Sequence, residues 1–182
     1  GFSGTAARLN SAGNAYPDRV NFSGMNRFQI TGTAANDSIA TGGGNDTINA
    51  GAGKDTLTGG LGADKFVYQN FTDSLLADFD VITDFNATTG NDLFRVSTAR
   101  AGFVNVGAVN TLDAAGMGAK LTAAAFGSNF AAQFSFGRKT FVAINDATAG
   151  FNAAKPLLLQ IQVFCNFAKV HVPTILSITT DH

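Results

Sequence analysis

Four aspartates recur at an interval of nine residues, Asp37, Asp46, Asp55 and Asp64. Glycines or other small residues fill the first, second and fourth places of each block. Read from Gly32, the blocks are GTAANDSIA, TGGGNDTIN, AGAGKDTLT and GGLGADKFV. Carboxylates are hard oxygen donors, and glycine turns can aim main-chain carbonyls at one point because glycine lacks a Cβ to restrict φ. Calcium takes about six to eight oxygens of both kinds, whereas magnesium holds its waters and demands a stricter octahedron. The chemistry on offer is binding of a hard divalent cation. A phosphate cradle at GAGKDT, Gly51 to Thr56, is rejected: a phosphate loop needs glycine where Ile48 stands, and Ser or Thr where Asp55 follows Lys54.

The elements that position these aspartates follow from the period. One apolar residue per nine, Ile39, Ile48, Leu57 or Phe66, leaves no helical stripe. The pattern fits alternating turns and three-residue strands, with the apolar residue inward and its neighbours toward solvent. A single short strand cannot bury that residue, so coils must stack. With two nonapeptides per coil, Asp37 sits over Asp55 and Asp46 over Asp64. Carboxylates about 4.8 Å apart repel by roughly 1–4 kcal/mol, depending on the effective dielectric, so the stack calls for a cation. The segment from Asp37 to Asp92 holds nine aspartates against Lys54 and Lys65. The competing reading is a metal-free solenoid in which Asp and Asn cap turns, but four in-register aspartates with paired glycines exceed what turn chemistry needs.

Composition narrows the alternatives. All 13 acids are aspartate, and the glycine, asparagine and threonine content suits turns and strands rather than a helical bundle. His171 and His182 lie in the last twelve residues and Cys165 is the only cysteine, so histidine- or thiol-based catalysis and cysteine-rich zinc cages have nothing to be built from outside that tail. No enzyme activity is expected from these residues. A net charge of −1 offers no basic patch for nucleic acid, and no apolar run is long enough to span a membrane. Gly1 opens without methionine or a signal-peptide pattern, which leads to the expectation of a fragment or the C-terminal part of a longer protein.

The four blocks resemble the repeats-in-toxin (RTX), or haemolysin-type, calcium-binding nonapeptide, Gly-Gly-x-Gly-x-Asp-x-apolar-x. The resemblance implies an all-β architecture, mainly a right-handed parallel β-roll with Ca2+ between turns, in a protein exported from bacteria and folded outside the cell. By column, the implied ligands are the carboxylates of Asp37, Asp46, Asp55 and Asp64. Carbonyls would come from Thr33 and Ala35, Gly42 and Gly44, Gly51 and Gly53, and Gly60 and Gly62. Thr33 and Ala35 depart from the glycine pattern, which makes the first turn the least secure site. DFDVITDF, Asp78 to Phe85, resembles the segment after the last repeat in many family members, and Asp80 or Asp84 is a candidate to close the end site. The implied partners are calcium ions and a type I secretion apparatus or a cell-surface contact, and the implied location is extracellular or at the cell surface. An alternative is the accessory end of a secreted hydrolase or an adhesin, with the active domain upstream of Gly1.

The organisation expected is a degenerate coil over 1–31, the repeats over 32–67, a capping and β-rich region with one short helix over 68–154, and an aberrant apolar tail over 155–182. VITDFNATTGNDLFRV is read as strand-like runs about a turn that cap the roll near Phe66. Leu112, Met117, Leu121 and Phe126 mark a helix within 111–126, and AQFSFG with KTFVAIND marks a hairpin through Gly137 and Arg138. Five Asn-x-Ser/Thr sequons, including those at Asn36 and Asn45, are assigned no role. Residues 80–154 look like the C-terminal domain of cyanobacterial surface proteins called bluetail, through FVAINDATAGFNAA. From Lys155 the likeness ends, and a reading-frame slip is expected there, an ordinary apolar strand pair being the alternative.

Overall fold

The computed structural model describes residues 2–9, 15–25, 27–87, 90–154 and 156–161. Among the described residues the regular elements are mostly strands, with one short α-helix and one 3-10 turn at Phe71–Asp73. Among the described residues, no helix is long and apolar enough to cross a membrane. Upstream of the repeats, β3 (Gln29–Thr31) pairs in parallel with the second repeat's strand. β1 (Phe2–Leu9) and β2 (Ala15–Met25) pair antiparallel with each other instead.

Each repeat forms one short strand beginning directly after its aspartate: β4 (Ser38–Ala40), β5 (Thr47–Asn49), β6 (Thr56–Thr58) and β7 (Lys65–Tyr68). Successive strands go to opposite sheets, so β3-β5-β7 and β4-β6 are parallel neighbours. This is the two-nonapeptide coil, and the parallel pairing fits a β-roll. Ile30, Ile48 and Phe66 stand in register in one sheet, as do Ile39 and Leu57 in the other. Ile48, Leu57 and Phe66 are buried between the sheets, each as the large inward side chain of its repeat's strand.

The stacking continues past Val67. β8 (Asp80–Ile82) adds to β6, and β9 (Leu93–Val96) adds to β7. β8 and β9 lie in different sheets, so the strand-like runs expected to cap the roll near Phe66 complete one further coil, with Phe94 in register beside Phe66. Ile82 and Phe94 supply the next apolar rungs, and Phe94 stacks on Phe85 with ring centroids 4.5 Å apart.

The C-terminal half extends one of these sheets. β10 (Gly102–Ala108), β11 (Phe130–Phe136), β12 (Lys139–Ile144) and β13 (Leu157–Ile161) give the order β10-β11-β12-β13-β8-β6-β4. β11 and β12 form the expected hairpin, with Gly137 at φ +60°. The helix, α1 (Ala114–Lys120), is shorter than the periodicity suggests, but Met117, Leu121 and Phe126 are all buried beside Phe134 and Phe141. Residues of β13 alternate between two cores: Leu157, Leu159 and Ile161 face the repeats, and Leu158 faces the α1 side. Burial on both faces is why PLLLQI is apolar at every position but Gln160, which is buried as well. The start of the tail assigned to a frame slip is thus the strand joining the two halves, while residues 162–182 lie outside the described residues.

Candidate metal centre

The turns stack as tightly as their strands. Gly42, Gly51 and Gly60, at the second place of their blocks, have φ of +101°, +93° and +94°. Gly44, Gly53 and Gly62, at the fourth, have φ of +118°, +120° and +132°. These left-handed angles are costly for residues with a Cβ. Space is a second constraint: a Cβ on Gly51 would lie 2.0 Å from the Thr33 carbonyl oxygen, and one on Gly53 2.8 Å from that of Ala35. On Gly60 and Gly62 it would meet the Gly42 and Gly44 carbonyl oxygens at 1.7 and 1.8 Å. The eight carbonyl-bearing candidates are therefore paired face to face, turn one on turn three and turn two on turn four. The Gly42 carbonyl also accepts the Leu61 N–H at 2.8 Å, which occupies one of its two lone pairs.

Along each edge the aspartates form a ladder. The Asp37 N–H donates to Asp55 Oδ1 at 2.8 Å, and the Asp55 N–H to Asp80 Oδ1 at 2.8 Å. On the opposite edge the Asp46 N–H donates to Asp64 Oδ1 and the Asp64 N–H to Asp92 Oδ1, both at 2.9 Å. The Phe28 N–H completes that series on Asp46 Oδ1 at 2.6 Å. One carboxylate oxygen, Oδ1, of Asp46, Asp55, Asp64, Asp80 and Asp92 is thus committed to joining coils.

The second oxygen separates the aspartates into two groups. Asp46, Asp55 and Asp64 have no solvent exposure, and in each Oδ2 is buried without a hydrogen-bond partner. Asp64 Oδ2 points back into its own turn, 2.3 Å from where a Cβ on Gly59 would be. A buried anionic oxygen without a partner carries a desolvation penalty of about 1–3 kcal/mol or more. Among the described residues no three His, Cys or Asp side chains converge on one point. A cation here would draw most of its ligands from main-chain carbonyls, the groups that the turns bring together. This donor set, anionic and carbonyl oxygen without nitrogen or sulfur, fits calcium.

The electrostatics carry the same signature. Burial raises the Asp55 carboxyl from 3.8 to about 6, opposed by the Asp37 N–H and assisted by the Asp37 and Asp73 charges. Burial likewise raises Asp64 to about 6, against the Asp46 N–H, with Asp92, Asp46 and Asp84 adding repulsion. Asp80 rises to about 7, again chiefly through burial. Because these values exceed 3.8, the metal-free folded chain binds more protons than the unfolded one. Their stability contribution is fully present below pH 4 and is lost as pH rises through 6 and 7. Each two-unit shift is about 2–3 kcal/mol before solvent screening and a fraction of that after it. In calcium-depleted buffer the melting temperature is expected to be higher at pH 4.5 than at pH 7.5. The order should reverse in calcium, which displaces the protons. Thermal melts at the two pH values check this, and a metal-free chain more stable at pH 7.5 would contradict it.

Asp84 lies against the last turn, but as an acceptor: its Oδ1 takes the Gly59 N–H at 3.1 Å and its Oδ2 the Gly60 N–H at 2.6 Å. Asp80 and Asp92 continue the two ladders, and their spacings of 25 and 28 residues hide them from a nine-residue period. Asn36 and Asn45 also have a place: their side-chain oxygens accept the Lys54 and Ala63 N–H groups, both at 2.9 Å, and stitch each turn to the one stacked on it.

A family model for the RTX calcium-binding nonapeptide repeat matches four copies in the chain, over residues 31–66. The matched stretch contains the turns and aspartates just described, and repeats of this kind bind calcium in bacterial proteins. No curated protein matches the chain.

Proposed function

We propose that this chain is the calcium-binding module of a secreted or cell-surface bacterial protein, and that its repeats form a right-handed parallel β-roll that folds when it meets calcium outside the cell. The observation that carries the reading is the set of three buried, unpartnered oxygens, Asp46 Oδ2, Asp55 Oδ2 and Asp64 Oδ2. A metal-free solenoid would leave them unsatisfied. Asp46 and Asp64, with the carbonyls of Gly42, Gly44, Gly60 and Gly62, would hold one sandwich. Asp55, with Gly51 and Gly53 and the facing Thr33 and Ala35 carbonyls, would hold the other. Bound calcium supplies positive charge and oxygen coordination where the chain offers neither. Cytosolic calcium is low and external calcium is millimolar, within the range of about 10⁻⁴–10⁻³ M of extracellular modules, so the repeats act as a compartment switch. The module acts by binding and folding and carries no reaction of its own. The bluetail-like passage supports a surface location, and a type I secretion apparatus or a cell-surface contact is the partner in keeping with it.

Titration calorimetry on calcium-depleted protein tests the reading. Wild type is expected to take up calcium at sub-millimolar to millimolar concentration. Asp46→Asn and Asp55→Asn should each reduce that uptake, since asparagine keeps the ladder acceptor and removes the charge. Asp113→Ala should keep it, because Asp113 only caps α1, accepting the Gly116 N–H at 2.8 Å. No uptake by wild type would overturn the proposal.

A further inference from the structure

In three aspartates of the two ladders Oδ2 is already paired, and all three stand at a ladder end. Asp37 Oδ2 accepts both the Thr33 N–H, at 2.6 Å, and the Thr33 hydroxyl, at 3.0 Å. Asp80 Oδ2 accepts the hydroxyl of buried Tyr68 at 3.0 Å, and Asp92 Oδ2 accepts the Asn86 N–H at 2.8 Å. Asp46, Asp55 and Asp64 have no such donor. The division follows the chain's own donors and not the nine-residue pattern, because Asp37 occupies the same column as the three open aspartates.

We infer that these donors are built-in substitutes for a cation that bound the calcium sites to the interior of the stack, and that Thr33 is the residue that closes the first turn to calcium. The inference rests on the calcium reading above. Its physical cause is local. At the second place, the other three turns have glycine with φ between +93° and +101°. Thr33 is β-branched and lies outside the left-handed region, in which Asn91 and Asn129 are the non-glycine residues found. With its backbone on the ordinary side, its N–H and hydroxyl both turn onto Asp37 Oδ2, a polar satisfaction that the glycine turns do not provide. One substitution thus pairs the Oδ2 oxygen that is left without a donor in the glycine turns. The carbonyls of Thr33 and Ala35 still face Gly51 and Gly53, so the first turn lends oxygens to the site of Asp55 without bringing a free carboxylate.

Equilibrium dialysis of the full chain against calcium, with ions counted per chain, tests this. Thr33→Gly is expected to bind one more ion than wild type, and Thr33→Ser, which keeps the hydroxyl and the backbone restriction, the wild-type number. Thr33 is exposed, so neither change opens the core. Wild type binding calcium while Thr33→Gly binds the same number would overturn the inference and leave the calcium reading intact. Failure of Thr33→Gly to fold in calcium would overturn it as well, because glycine is what the other turns use at that place. Wild type binding no calcium would instead remove the reading on which both stand.

Discussion

In EGTA the chain is expected to lose most of its far-ultraviolet β signal, and to regain it when calcium is returned to the millimolar range. The magnitudes favour a large effect. Each buried, uncompensated carboxylate costs several kcal/mol, and three of them rival the total stability of about 5–15 kcal/mol typical of a domain. Against this, a site with a dissociation constant of about 10⁻⁴–10⁻³ M contributes roughly 1.4–2.7 kcal/mol at about 10 mM calcium. Two or three sites together supply on the order of 3–8 kcal/mol, enough to move a marginal chain from mostly unfolded to mostly folded. Magnesium at the same concentration should restore less, because its geometry suits a carbonyl-rich cage poorly. Circular dichroism through a calcium titration, with chelator reversal, makes the measurement. Equal β content with and without calcium would defeat the expectation.

The second large effect is expected from Gly60→Ala. The new Cβ would stand 1.7 Å from the Gly42 carbonyl oxygen, at a residue whose φ is +94°. The left-handed angle alone costs about 1–2 kcal/mol. The clash is with main chain held in the stack by the Leu61 N–H at 2.8 Å, so relief requires the two turns to part. A total above about 3 kcal/mol is expected, among the larger losses single substitutions produce. Gly118→Ala is the counterpart of opposite sign. Gly118 lies in α1 with nothing within 4 Å of the added Cβ, and replacing a helical glycine by alanine should stabilise by about 0.5–1 kcal/mol. Urea unfolding in saturating calcium compares the two, and similar midpoints would show that the turns are not packed as described.

The repeat was legible because each block contains its whole structural instruction. Asp, apolar residue and glycines recur at fixed offsets, and the i to i+2 stacking of Asp37 on Asp55 and Asp46 on Asp64 follows from that period. Asp80 was open to view only as a candidate end-site residue and Asp92 not at all, because insertions, including the Phe71–Asp73 turn, separate them from the repeat; their place in the ladders comes from the fold. Thr33 could be seen to depart from glycine, but which group its N–H and hydroxyl would meet depends on the fold of the turn. The two-sheet placement of β8 and β9 was not legible because two apolar runs about a turn carry no local mark of which sheet each one joins. The role of PLLLQI was hidden for another reason: β13 is buried on both faces, so its residues do not show the alternation that marks a strand with one wet face.

That buried strand sets an order of events for the chain. β13 lies between β12, its near neighbour in sequence, and β8, about 80 residues earlier, and is parallel to the latter. The Leu158 N–H bonds the Ser74 carbonyl at 2.9 Å, fastening the same distant segments. Closing so long a loop is slow and cannot begin until residues 157–161 are available. A chain passing through a channel N-terminus first would present its calcium turns long before the strand that ties them to the α1 side. Until β13 arrives, one sheet edge at β8 is open to pairing with other chains, and β13 is the strand that closes it.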